Sequence, residues 1–207
     1  GQIKPNIESY RRVFAKFDPN QKVKVINQSF GGESEVENFS YSNIRNVVFS
    51  GDTEVFVPFF EEKVNNDGGL FVWAAGNRKG RTSTNPGQDM NSVSEEAGLP
   101  YLVNDLEKGW IAAIGIQPIE MEEFIDTDGS KKVREKAGGK LNIHESYHLA
   151  YAGDNAKYWS ISADDRAVPL GNRYGIGSSY AAPRVARAAA LVAEKYDWMT
   201  PDQVRQT

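Results

Sequence analysis

Two adjacent hydroxyls, Ser178 and Ser179, lie in Gly175-Ile176-Gly177-Ser178-Ser179-Tyr180-Ala181-Ala182-Pro183 and lead into the small-residue run from Val185 to Ala193. A serine at a helix start ordinarily caps it, accepting an orphan amide proton of the first turn. The neighbours permit another use. Gly175 and Gly177 allow a sharp bend, Ala181 and Ala182 leave room for a second chain, and the hydroxyl sits in the positive end of the helix field. Nucleophilic serines in acyl transfer are presented in this way. Such chemistry also needs a fixed donor where negative charge develops on the carbonyl oxygen. Val72-Trp73-Ala74-Ala75-Gly76-Asn77, a buried strand ending in small residues and one amide, offers Asn77, although an asparagine after a strand is by itself an ordinary turn former.

A third block, Val25-Ile26-Asn27-Gln28-Ser29-Phe30-Gly31-Gly32, is rich in β-branched residues and stopped by glycine. Alone it is a core strand, with Phe30 in the core or at a pocket lip. With free edge groups it can also bind an extended peptide by adding a strand. The acids Glu33, Glu35 and Glu37 that follow read first as a solvated loop, and second as an attraction for basic substrate side chains.

The elements that must position these blocks follow from periodicity. Residues 6 to 17 place Ile7, Tyr10, Val13, Phe14 and Phe17 on one helical face, and Val55, Phe56, Phe59, Phe60 and Val64 do the same from Thr53 onward. Strands are expected at 23–30, 70–75, 109–116 and 158–163, and an exposed hairpin at 121–140 around Asp126-Thr127-Asp128-Gly129. Residues 78–108, rich in Gly, Pro, Asn and Ser, read as a long loop. Strand, helix, strand implies a right-handed crossover. The expected fold class is α/β, one domain over residues 1–207, with a parallel sheet flanked by helices on both faces. Thr200-Pro201-Asp202 starts a helix that has few residues left, so both ends read as truncated.

The chain of 207 residues has no cysteine, which excludes disulfides, thiol catalysis and cysteine metal sites. A net charge of -4 with scattered basic residues argues against a nucleic-acid surface. No apolar run reaches the roughly eighteen residues that cross a bilayer. No metal or other cofactor is expected. His144-Glu145-Ser146-Tyr147-His148 fits H-E-x-x-H but has little helical stripe and lies between glycines. Gly175-Ile176-Gly177 is only half a dinucleotide fingerprint, and the Asp126 turn lacks a calcium loop's final glutamate.

Taken in order, the three blocks resemble those of the subtilisin-like serine proteases, in which Gly-Thr-Ser-x-Ala-x-Pro opens a helix and Ala-Ala-Gly-Asn supplies the oxyanion donor. The resemblance covers most of residues 20 to 200. It implies an incomplete subtilisin-like domain, the C-terminal part of a peptidase, with Ser179 as nucleophile and Asn77 as oxyanion donor. It further implies that Ser29, Phe30 and Gly31, facing Ala75 and Gly76, bind a polypeptide substrate. Gly98-Leu99-Pro100-Tyr101, Gly109 to Ala113 and Asn155 to Ala163 resemble the branch found as passenger domains of bacterial autotransporters, which implies an exported or surface location. Ser178 stands where the family usually has threonine. The family's aspartate and histidine blocks precede the first strand block, and residues 1 to 22 hold no histidine, so the upstream part of the same domain would have to supply the base. Such a fragment is expected to be inactive alone, with an open sheet edge that invites dimerisation or swapping. A pseudoprotease or peptide-binding module is the alternative, and a zinc hydrolase a remote third.

Overall fold

The computed structural model describes residues 6–42, 53–80, 85, 87–139, 141–145, 150–166 and 175–207. The helices are α1 (Ile7–Phe14), α2 (Thr53–Asn65), the single turn α3 (Gly153–Ala156), α4 (Ser178–Lys195) and α5 (Pro201–Gln206). The strands are β1 (Lys24–Gln28), β2 (Gly69–Ala74), β3 (Trp110–Ile119), β4 (Met121–Ile125), β5 (Lys131–Glu135), β6 (Leu141–Glu145) and β7 (Ser160–Asp164).

β1, β2, β3 and β7 form a parallel sheet in that order, and β6 joins antiparallel to the far end of β3. β4 and β5 form the expected hairpin, closed at Gly129 with φ +78°. β3 runs three residues past the expected end at Ile116 and passes through Pro118. Its register against β6 shifts between Gln117 and Ile119, so the missing amide of Pro118 falls at an irregularity and costs no ladder bond.

Side-chain alternation along β2 sorts the two faces. Phe71 and Trp73 point into a layer under α1 and α2, where Trp73 stacks on Trp110 at 5.3 Å and Phe60 meets Trp110 edge-on at 5.3 Å. Leu70, Val72 and Ala74 point the other way, with Ile111 and Ala113, against Ala181, Ala182, Val185, Ala186 and Ala189 of α4. Helices therefore cover both faces. The bulky side brings two rings per contact, and the α4 side brings mainly methyl groups, so α4 lies close to the strands.

The described residues between 78 and 108 do not form an open loop. They contain helical turns at Leu99–Tyr101 and Asn104–Gly109, and Met90, Val93, Ala97, Leu99 and Leu106 are fully buried. Their main-chain groups are satisfied one at a time, as in Ser94 N to Ala75 O (2.7 Å) and Glu95 N to Ser34 O (3.1 Å), which leaves no periodic signature. At the end of the chain Thr200 forms a reciprocal capping box with Gln203, with Pro201 in the first turn.

Candidate active site

Because β1 and β2 are parallel, the segments that leave them, Ser29-Phe30-Gly31 and Ala75-Gly76-Asn77, emerge at the same edge of the sheet. The N-terminus of α4 reaches that edge too. Ligands of open α/β sheets are bound outside the carboxyl ends of the strands.

The two serines are used differently. Ser178 is 1% exposed; its Oγ donates to the Gly76 carbonyl (2.7 Å) and accepts from the Gly76 amide (3.2 Å). Its main-chain N–H donates to Asn77 Oδ1 (3.0 Å). The capping expectation is corrected for both hydroxyls: the N-cap is Gly177, without a side-chain bond, and the Ser178 hydroxyl is spent on the neighbouring strand end. Gly177 has φ +151°, and a Cβ there would stand 3.0 Å from Asn77 Oδ1, so both conformation and space require glycine. Ser179 is half-buried, and its hydroxyl has no hydrogen-bond partner among the described residues. It sits in the first turn of α4, where the helix field favours developing negative charge.

The bond to Asn77 settles the orientation of that amide. A main-chain N–H can only donate, so the atom it meets is the carbonyl oxygen, and Nδ2 with its two protons faces elsewhere. Gly76 has φ +112°, with space for a Cβ limited by Met90 Sδ at 3.2 Å. Ala75 is fully buried, its amide bonded to Ala113 O (3.0 Å).

On the opposite wall β1 ends at Gln28, two residues before the expected limit, because pairing with β2 stops at Gln28 opposite Trp73. Ser29 to Gly31 are consequently irregular. Ser29 Oγ accepts from Asn27 Nδ2 (2.8 Å), and half-buried Phe30 meets Trp73 edge-on at 5.3 Å, packed against the core. A Gly31 Cβ would stand 3.0 Å from Ser94 Oγ.

A cluster behind the serine escaped the sequence reading. The Arg184 guanidinium donates to the carbonyls of Asp164 (2.9 Å), Arg166 (2.7 Å) and Tyr180 (2.9 Å), tying the end of β7 to the first turn of α4. Burial works against ionisation of Asp164, but hydrogen bonds from Arg166 and the charges of Arg166 and Arg184 outweigh it and hold its carboxyl below the usual range. No local sequence pattern announces this cluster, since its members meet only through the fold.

His144 lies on the extended strand β6, paired with Gln117, whereas H-E-x-x-H needs a helix to bring its imidazoles together. His148 lies outside the described residues. Among the described residues no group of three or more His, Asp or Glu is placed to hold a metal ion. A cavity of about 960 Å³ opens at the other, amino end of the strands, lined in part by Lys22, Lys24, Gly68 and Lys108, and so does not mark the serine.

Comparison with known proteins bears on the family of the chain. The chain is 26% identical over 208 residues to the Neisserial autotransporter lipoprotein NalP of Neisseria meningitidis serogroup B strain MC58, and equally to that of strain H44/76. The match covers 89% of this chain and 17% of each relative, so the chain spans a small part of their length. The family described as the subtilase family matches residues 2–207, and the chain belongs to it.

Proposed function

We propose that these residues form the C-terminal part of a serine endopeptidase domain, in which Ser179 attacks the scissile carbonyl and an acyl-enzyme forms. The Asn77 Nδ2 and the Ser179 main-chain amide donate to the oxyanion. Ser29 to Gly31 and Ala75 to Gly76 flank an extended polypeptide. The observation that carries the reading is the 3.0 Å bond from Ser178 N to Asn77 Oδ1, because it turns the donor end of the amide away from the helix while Ser179 Oγ stays uncommitted. The general base and its orienting acid come from another part of the parent protein, upstream in the same domain. The named relatives are autotransporter lipoproteins, which supports a parent exported to the surface of a bacterium.

The test compares the 207-residue chain with its full-length parent. The full-length protein is expected to hydrolyse peptides and to be labelled by a serine-directed phosphonate at Ser179, and the 207-residue chain to do neither. Rapid turnover by the chain alone would refute the absent base. An unreactive full-length protein that still binds peptide would be a pseudoprotease.

A further inference from the structure

Ser179 lies between two ties. On the side of β2, the Ser178 amide and hydroxyl bind Asn77 and Gly76. On the side of β7, Gly177 N donates to Asp165 O (3.0 Å), and Arg166 pairs with Ile176 in a single antiparallel bridge. The chain that leaves β7 thus runs beside the chain that enters α4.

The turn between these ties is one rung short. In an α-helix each amide donates to the carbonyl four residues before it, and Pro183 has no N–H to offer the Ser179 carbonyl. A side chain supplies a tie instead. Nη1 of Arg184 donates to the carbonyl of Tyr180 (2.9 Å), the residue after Ser179, and to that of Asp164 (2.9 Å), while Nη2 donates to Arg166 O (2.7 Å). Carbonyls two residues apart on extended backbone point the same way, so one planar fork can take both. A lysine ammonium, a point charge on a flexible stem, lacks that fork.

The strand side of the tie is itself held. Arg166 places Nε and Nη2 on the two carboxylate oxygens of Asp164 (3.0 Å each). Its Nη1 donates to Oε1 of Glu135 (2.5 Å), the last residue of β5. The second guanidinium therefore has two carboxylates of its own and leaves the carbonyls of Asp164 and Arg166 to Arg184. The end of β7, braced through Glu135 by the hairpin, is what the first turn of α4 is fixed against.

We propose that Arg184 is a positioning residue for Ser179: it locks the first turn of α4 to the end of β7 and so sets the place of the hydroxyl relative to Asn77. The reactivity of Ser179 rests on the peptidase reading above, and the lock does not. Both are measured in full-length protein carrying Arg184→Lys, which keeps the charge and loses the fork. Hydrogen exchange over residues 175–181 should quicken at least about tenfold, the scale of one lost hydrogen bond to a charged group. Phosphonate labelling of Ser179 and kcat should fall about tenfold or more with KM within about twofold, since a misplacement of about 1 Å costs about a hundredfold. In Arg184→Ala protein, free methylguanidinium should restore part of the labelling rate, a response that general destabilisation would not give. All rates are taken well below Tm, which is the check on folding. Unchanged labelling and kcat in folded Arg184→Lys protein overturn the proposal, as do unchanged exchange and a folded Arg184→Ala protein that methylguanidinium does not restore. An unsubstituted protein that is neither labelled nor active would sink the peptidase reading, and the exchange would then decide the lock alone.

Discussion

Replacing Ser178 by alanine removes one oxygen from a site that is 1% exposed, while the same change at Ser179 removes one from a half-buried hydroxyl without a partner among the described residues. The two substitutions are chemically identical and one residue apart. At Ser178 two hydrogen bonds to Gly76 disappear, one at 2.7 Å and one at 3.2 Å. Each contributes roughly 0.5–1.5 kcal/mol net, and leaving the Gly76 amide without its acceptor pushes the sum toward the upper end. The space left by one oxygen is too small to admit a water of about 30 Å³ as replacement. Alanine's better helix propensity returns about 0.5 kcal/mol. The balance is a loss of about 2 kcal/mol, which for a chain of this length lowers Tm by about 4–8 °C. Ser179→Ala should change stability by less than about 0.5 kcal/mol. Urea denaturation of the 207-residue chain measures both. A Ser178→Ala loss below about 0.5 kcal/mol, or equal losses for the two variants, would refute the division of labour between the serines.

Asn77→Asp keeps an acceptor for the Ser178 amide and removes the Nδ2 donor, so the full-length protein should fold but lose turnover with KM little affected. The scale of about 100–1,000-fold is taken from the corresponding donor of subtilisin itself, and a drop below about threefold would exclude Asn77 from the oxyanion site. Asp164 makes a pH prediction. Its carboxyl is held low in the folded state by Arg166 and Arg184 against the effect of burial, so its stabilisation is present above the ordinary aspartate value near 4. That stabilisation disappears as pH falls through the lower folded value. Asp164→Asn should therefore narrow the difference in Tm between pH 6 and pH 3, and an unaltered difference would show that the arginines do not act through its charge.

The parallel sheet was legible because β2 is hydrophobic on both faces and is bracketed by glycines, and α4 because small residues recur at its start. Ser179 and Asn77 stood out as residue types in context, and the fold brings Asn77 against the residue next to Ser179. The role of Ser178 was not, since a serine for a threonine reads as a mild exchange until its oxygen is found on Gly76, 102 residues away in sequence. The bonds of Glu95 and Glu96 were hidden for the same reason, since they reach Ser34 and Gly32 only across 61 and 64 residues. The described residues between 78 and 108 misled because irregular backbone can be buried when its polar groups are met singly.

The methyl-lined contact between α4 and the sheet has a mechanical side. Ala74, Ala113, Ala181 and Ala182 are at most 2% exposed, and side chains of one methyl group leave little between helix and strands that could compress. A spacing at its lower limit cannot shrink, so it can err in one direction only. The helix start and the strand end carrying Asn77 thus share a common zero. Enlarging Ala181 or Ala182 would shift that zero, and with it the position of Ser179 relative to Asn77.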